Sequence, residues 1–250
     1  MLGNLLKGIF NKKNSNDIEV NKLPSQGLFY KDGFGISIKK AEVEDIIFYE
    51  SNYKDDPIST ITLVKDMVKK NIFLSKGYEF EDIASIDIVF LFFEIVKLTK
   101  GDSIWIHHTE ESILFDKDHF NYFSVPDYLM EKYDSETKEF VIDGFKFKLP
   151  TIGIETSVTR FIGDSAMAGT LKDFSDKSYD FMYFLGDKNK LSNDEIINLL
   201  TIFNDELDMN EREIVDTIIK DFASFNRYTL KTDSGDVVEM GQLDLSKIWE

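Results

Sequence analysis

The 250-residue chain has no cysteine, only four prolines and three histidines, and no long uninterrupted apolar run. Without cysteine there can be no disulfide framework, thiolate zinc ribbon or cysteine nucleophile, a composition that fits a reducing cytoplasm. The longest apolar run, Ile88 to Phe93, is bounded by Asp87 and Glu94 and falls far short of the ~20 residues that a membrane-spanning helix needs. The opening MLGNLLKGIFNKK lacks both a long apolar core and a small-residue cleavage site, so a secretory signal is not expected. Positive charge is scarce too, with 29 Lys and Arg against 46 Asp and Glu and a net charge of −17. A surface that negative repels phosphate backbones, so nucleic acid is not an expected partner, and no membrane is expected either. What is abundant is apolar matter: 42% hydrophobic and 14% aromatic residues, enough for a large core or for two domains of ~100–200 residues each.

One short pattern occurs twice, as KLPSQG at residues 22–27 and KLPTIG at residues 148–153. Proline fixes φ and drives the preceding residue toward extended backbone, and a glycine three positions on accepts φ > 0, so each copy reads as an ordered turn. Leu28, Phe29 and Tyr30 follow the first copy, three large side chains that must pack on something.

Hydrophobic periodicity sets the remaining organisation. Leu2, Leu5, Leu6, Ile9 and Phe10 share one helical face, ahead of the polar stretch Asn11–Asp17, which reads as a short amphipathic helix on a tether. Twelve residues make a marginal helix in water, so this face needs a partner surface, either the body of the chain or another protein. Ile36 and Ile38 alternate as in a strand, and Val43, Ile46 and Ile47 begin a helix. Asp56-Pro57 supplies a cap and first-turn proline for a helix whose apolar face is Ile58, Ile61, Val64 and Val68. Residues 82–98 are apolar on nearly all sides, the mark of a helix at the centre of a core, and Lys97, Lys100 and Gly101 form its end.

From Ser103 the period changes to two, and Glu139–Ile142, Asp143-Gly144 and Phe145–Lys148 spell a β-hairpin. Ser192 with Glu195, and Asn210 with Glu213, read as capping boxes ahead of two antiparallel helices. A hairpin around Thr232–Gly235 and a tail ending in Ile248-Trp249 close the chain; Trp249 is either a docking handle or a residue packed back onto its own domain.

Catalytic signatures are weak. His107, His108 and His119, with Asp116 and Asp118, lie close together in sequence, but adjacent histidines on a strand point to opposite faces and cannot share one ion without a bulge. Gly163–Gly169 lacks the Lys-Ser/Thr of a phosphate-binding loop. Asp134-Ser135-Glu136 opens like a calcium loop, yet Glu139 stands where the turn glycine is required; a turn leading into the hairpin explains it better. No cofactor and no metal are expected.

The order of these features resembles a known family. KLPSQGLFYKDGFGISIKKAEVEDI, through Leu23, Pro24, Ser25, Gly27, Tyr30, Ile36, Ile38 and Glu44, is similar to the amino-terminal pattern of the baseplate hub assembly and tail proteins of T-even-like contractile-tailed bacteriophages. DIASIDIVFLFFEIVKLTKGDSIWI resembles that family's central helix, and KEFVIDGFKFKLPTIGIE its later hairpin. The resemblance covers residues 20–160. Relatives with a cysteine pair after the central helix suggest bound zinc there; this chain has none, so no zinc role carries over.

The resemblance implies a non-enzymatic structural or chaperone-like protein of tail baseplate or hub assembly, found in the host cytoplasm or in the virion tail. Its partners would be other phage tail and baseplate proteins, with homo-oligomerisation left open. Aromatic-rich turns and an amphipathic segment suit a protein that works through surfaces. The expected partner-binding residues are Leu5, Leu6, Ile9, Phe10, Leu23, Pro24, Gly27, Leu28, Phe29, Tyr30 and Trp249. Two alternatives stand beside it: a metal-dependent enzyme using the His107, His108 and His119 region, and an acidic inhibitor that mimics DNA. The expected fold is α+β, with an N-terminal mixed region of β-hairpins around a buried central helix and a mostly helical C-terminal region. The expected divisions are 1–21 (helix and linker), 22–155 (α+β domain) and 156–250 (helical region with terminal hairpin and tail).

Overall fold

The computed structural model describes residues 15–54, 56–101, 104–108, 111–114, 120–121, 127–169, 176–185, 189–225, 229–232, 235–239 and 244–249. The fold is mixed α+β, as the sequence implies. Its centre is helix α3 (Asp87–Lys100), in which Ile88, Val89, Leu91, Phe92, Phe93, Ile95 and Val96 are all buried. A helix apolar on nearly all sides belongs inside a core, and only Phe90, Glu94 and the last turn from Lys97 to Lys100 reach its edge. It ends at Gly101, whose φ of +103° only glycine adopts without strain.

One side of α3 is covered by a helical pair, α1 (Val43–Asn52) and α2 (Pro57–Asn71), and by a three-stranded antiparallel sheet. In that sheet β2 (Ile36–Lys39) lies between β1 (Ser15–Ile18) and β3 (Ile72–Leu74). The Asp56 carboxylate caps α2 by accepting from the Ser59 amide at 2.8 Å, with Pro57 in the first turn. Strands β4 (Trp105–His108) and β5 (Glu111–Leu114) form a hairpin that buries Ile106 and Ile113. Strand β6 (Phe120–Asn121) and the one-turn helix α4 (Asp127–Met130) follow. Then comes an antiparallel sheet of β7 (Tyr133–Asp134), β8 (Glu139–Ile142) and β9 (Phe145–Phe147). Asp143 and Gly144 turn the β8–β9 hairpin with φ of +48° and +88°, the left-handed pair that an Asp-Gly loop supplies.

The later half supplies α5 (Ile152–Ala168), α6 (Asp176–Leu185), α7 (Asn193–Thr201) and α8 (Met209–Phe225). A short hairpin of β10 (Thr229–Lys231) and β11 (Val237–Glu239) pairs back onto β6. Ser192 and Glu195 form the expected capping box of α7.

The structure departs from several expectations. Residues 15–18, read as polar tether, form β1, with Ser15 opposite Lys39 and Ile18 opposite Ile36; backbone pairing to an existing strand outweighs the poor strand propensity of Ser, Asn and Asp. The buried face of α2 is Leu63, Val64, Met67 and Val68, while Ile58 is 78% exposed. The face is therefore rotated from the one that Ile58 and Ile61 suggested. The cap of α8 is Asp208, not Asn210: the Asp208 carboxylate accepts from the amides of Asn210 and Glu211, and the Glu211 carboxylate accepts from the Asp208 amide.

The division near residue 155 falls inside α5, and one apolar core runs across it. Phe222 of α8 packs on Phe140 and Phe147 at ring separations of 5.2 and 6.1 Å. A smaller second cluster, with Val158, Met182, Ile196 and Leu200, joins α5, α6 and α7.

Candidate functional site

Both copies of the repeated pattern close on the same five residues, Ile83–Asp87, where the chain enters α3. In the first copy Gln26 and Gly27 take φ of +56° and +74°, so the turn after Pro24 folds back on itself. A side chain at Gly27 would stand 2.7 Å from Val20 Cγ1. This turn brings Ser25 over the start of α3. The Asp87 carboxylate accepts from the Ser25 amide at 2.8 Å, from Ser25 Oγ at 2.7 Å and from the Tyr30 hydroxyl at 2.6 Å. The Tyr30 oxygen in turn accepts from the Ala84 amide at 2.9 Å. Ser25 and Asp87 are both wholly buried.

Burial pushes the Asp87 carboxyl up to about 6, even though its three hydrogen bonds favour the ionised form. Burial and then the neighbouring Asp87 charge hold the Tyr30 phenol well above its ordinary value.

The second copy approaches from the opposite side. The Ser85 amide donates to Pro150 O and the Ile152 amide to Ile83 O, both at 2.9 Å, and Ala84 and Thr151 form an antiparallel bridge. KLPTIG is thus not a free-standing turn. Thr151 caps α5 through its side chain, which accepts from the Ile154 amide, and Gly153 is a helical residue. Its glycine is required for space: the Asn189 carbonyl oxygen occupies the place a Cβ would take.

This double clamp corrects the reading of the first turn as a docking patch. Leu23, Pro24 and Tyr30 are buried in the chain's own core. Gly27, Leu28 and Phe29 are half-buried, and the Phe29 ring sits 5.6 Å from that of Phe140 and 6.2 Å from that of Tyr133. The Tyr133 hydroxyl donates to Leu28 O. Trp249 also turns inward, edge-on to Phe92 at 5.9 Å and to Tyr49 at 6.1 Å. Lys100 Nζ holds the tail by donating to Ile248 O at 3.2 Å. Large apolar side chains beside an existing core gain more by joining it than by waiting for a partner. The remaining expected contacts, Leu5, Leu6, Ile9 and Phe10, lie outside the described residues, as do His119, Asp116 and Asp118.

His107 and His108 stand opposite Ser112 and Glu111 in the β4–β5 register. Among the described residues, no group of three or more His, Asp or Glu is placed to hold a metal ion. The Asp134 carboxylate accepts from the amides of Glu136 and Thr137; the segment that resembled a calcium loop is a side-chain-stabilised turn into β8.

Two concave surfaces border these elements. A cleft of about 580 Å³ lies where the two turns meet, lined by Phe29, Tyr30, Tyr78, Lys138, Thr151 and Asn189 among others. A shallower groove of about 430 Å³ runs between α8 and the β8–β9 hairpin. Leu129, Ile142, Ile214 and Ile218 are its apolar lining, and Asp143, Glu213, Asp221 and Lys132 its charged lining. Among the described residues no helix is long and apolar enough to cross a membrane. Comparison with protein-family models, curated proteins and solved structures finds no match to the chain.

Proposed function

We propose that the protein is a non-enzymatic structural or chaperone-like component of the tail baseplate or hub of a contractile-tailed bacteriophage, acting through protein–protein contacts. One observation carries the reading. The three stretches that resemble the baseplate hub assembly family, the LPSQG turn, the start of the central helix and the hairpin ending in KLPTIG, meet at Ile83–Asp87. Residues whose side chains and backbones lock one another are a unit that a common fold would keep together, which gives short, separated motifs more weight as a set than singly.

The α8 groove is the contact surface this function would use. An apolar lining with three carboxylates against the one lysine, Lys132, fits an amphipathic segment of a partner subunit with more basic than acidic residues. Co-expression with the baseplate and hub subunits of a contractile-tailed bacteriophage is the test. Retention of one identified subunit through purification, lost on Ile214→Asp, is the expected result; retention of none overturns the reading. Capture should also persist in high salt. A DNA-mimicking inhibitor binding through net charge would instead release its partner steeply as salt rises.

A further inference from the structure

We infer that the α8 groove takes its partner as an amphipathic helix of about three turns, with aliphatic anchors over Ile142 and Ile214 and a basic flank along Glu213 and Asp221. This rests on the reading of the groove as the contact surface and specifies the form of its occupant. The α8 side of the groove is one helical stripe. Asn210, Glu213, Ile214, Thr217, Ile218 and Asp221 recur at alternating spacings of three and one, which at ~100° per residue places them all within an arc of about 140°. Val215, Ile219 and Phe222 lie on the other side of α8 and are buried in the core, so the helix is anchored from behind and the stripe is left to line the groove. The steps from Asn210 to Asp221 span ~16 Å, the length of about three helical turns.

Backbone pairing, exposure and charge select this occupant. The strand β8, which carries Ile142, is already paired on both sides, to β7 and β9, and cannot accept a further strand. The backbone groups of α8 are spent on its own turns. Recognition then runs through side chains, and a straight three-turn stripe is matched by a helix that presents anchors one turn apart. Leu129 and Ile218 are nearly buried, at 4% and 6% exposure, so the half-buried Ile142 and Ile214 offer the aliphatic contact. Tyr128 adds a ring that is 53% exposed. Its hydroxyl donates to the Asp221 carboxylate at 3.2 Å, which holds the ring beside the end of the stripe, and aromatic residues so placed are favoured interface anchors. The two walls differ in charge. Glu213 and Asp221 belong to α8, whereas Lys132 and Asp143 belong to the other wall. A helix in the groove therefore meets net negative charge along α8 and balanced charge opposite, and lysine or arginine on its α8 flank completes the match.

Isoleucine methyl NMR of the full chain tests the inference. The probe is a synthetic, end-capped peptide of about 14 residues, made of leucine, alanine and lysine, with its leucines one helical turn apart and its lysines on one flank. It should shift the Ile142 and Ile214 methyl resonances saturably. A proline-interrupted version, and one of the same composition in scrambled order, should bind at least about tenfold more weakly. Glu213→Lys, a change at an exposed position, should weaken the helical probe severalfold. Equal binding of the proline version, an affinity unchanged by Glu213→Lys, or no shift at either methyl overturns the inference. Movement of the same resonances with protein concentration alone would place a second copy in the groove and also overturn it. The phage reading fails separately. If the probe binds while no baseplate or hub subunit is retained on co-expression, the helix seat stands and that reading falls; retention of a subunit without probe binding has the opposite result.

Discussion

Replacing Asp87 is the sharpest perturbation of the clamp. In Asp87→Ala, the Ser25 amide, the Ser25 hydroxyl and the Tyr30 hydroxyl lose their common acceptor in a site without solvent. Hydrogen bonds to a charged group contribute ~1.5–3 kcal/mol each, and a buried donor left unmade costs ~1–3 kcal/mol. Against this stands the relief of the carboxylate's burial. A pKa of about 6 against ~3.9 in the unfolded chain is roughly two units, or ~3 kcal/mol at neutral pH. The balance is a loss of ~3–5 kcal/mol at pH 7, the range expected when one member of a buried charged network is removed.

Asp87→Asn keeps the shape and one acceptor oxygen, so it should cost less, ~1–3 kcal/mol. The sign of the pH dependence follows from the direction of the shift. Because the folded-state pKa is raised, the folded chain binds the proton more tightly, and this group's contribution declines as pH rises from about 4 to about 6. The stability difference between parent and Asp87→Asn should therefore be larger at pH 4.5 than at pH 7, by up to ~2–3 kcal/mol. Urea unfolding at both pH values measures it. An Asp87→Ala cost below ~1 kcal/mol, or a parent-to-Asn gap that widens with rising pH, would refute the reasoning.

Other substitutions probe the same architecture. Gly153→Ala should destabilise by several kcal/mol because the Asn189 backbone must move, and Gly27→Ala by ~1–3 kcal/mol from its φ of +74° and the contact with Val20; chemical denaturation of each variant reads the cost. Trp249→Ala empties a site against Tyr49 and Phe92 and should lower stability by ~3–5 kcal/mol, visible as a lower melting temperature. A Trp249 acting only as a docking handle would leave the melt unchanged. Ile58→Ala should change stability by less than ~0.5 kcal/mol, whereas Val68→Ala, at 0% exposure, should cost ~2 kcal/mol. Reversal of that order in urea titrations would mean that α2 presents the other face.

Local chemistry carried much of the fold into the sequence. The β8–β9 hairpin is written in Asp143-Gly144, the start of α7 in Ser192 and Glu195, and the end of α3 in Gly101. Each depends on residues a few positions apart. The clamp does not: Ser25 and Asp87 are 62 positions apart, and Asp82 and Asn189, which meet at its edge, are 107 apart.

One signal was present. Asp87 is the acid that opens an otherwise apolar run, and a carboxylate in such a place must find donors or lose its charge. Serine and tyrosine beside an ordered turn are suitable donors, yet nothing local pairs them with Asp87 rather than with water or a partner protein. The rotation of α2 was hidden for a related reason. Ile58 and Ile61 continue an apolar stripe that stays 78% and 36% exposed, and which face is covered is set by tertiary packing.

The most direct measurement is native-state hydrogen exchange at the amides of Ser25, Ala84 and Ile152, which bond respectively to Asp87, to the Tyr30 hydroxyl and to the Ile83 carbonyl. If the two repeated segments clamp the start of the central helix, all three amides exchange only through global unfolding, with one common free energy. If Ser25 instead exchanges at the rate of an open surface loop while Ile152 stays protected, the first turn is a surface feature and the clamp does not exist.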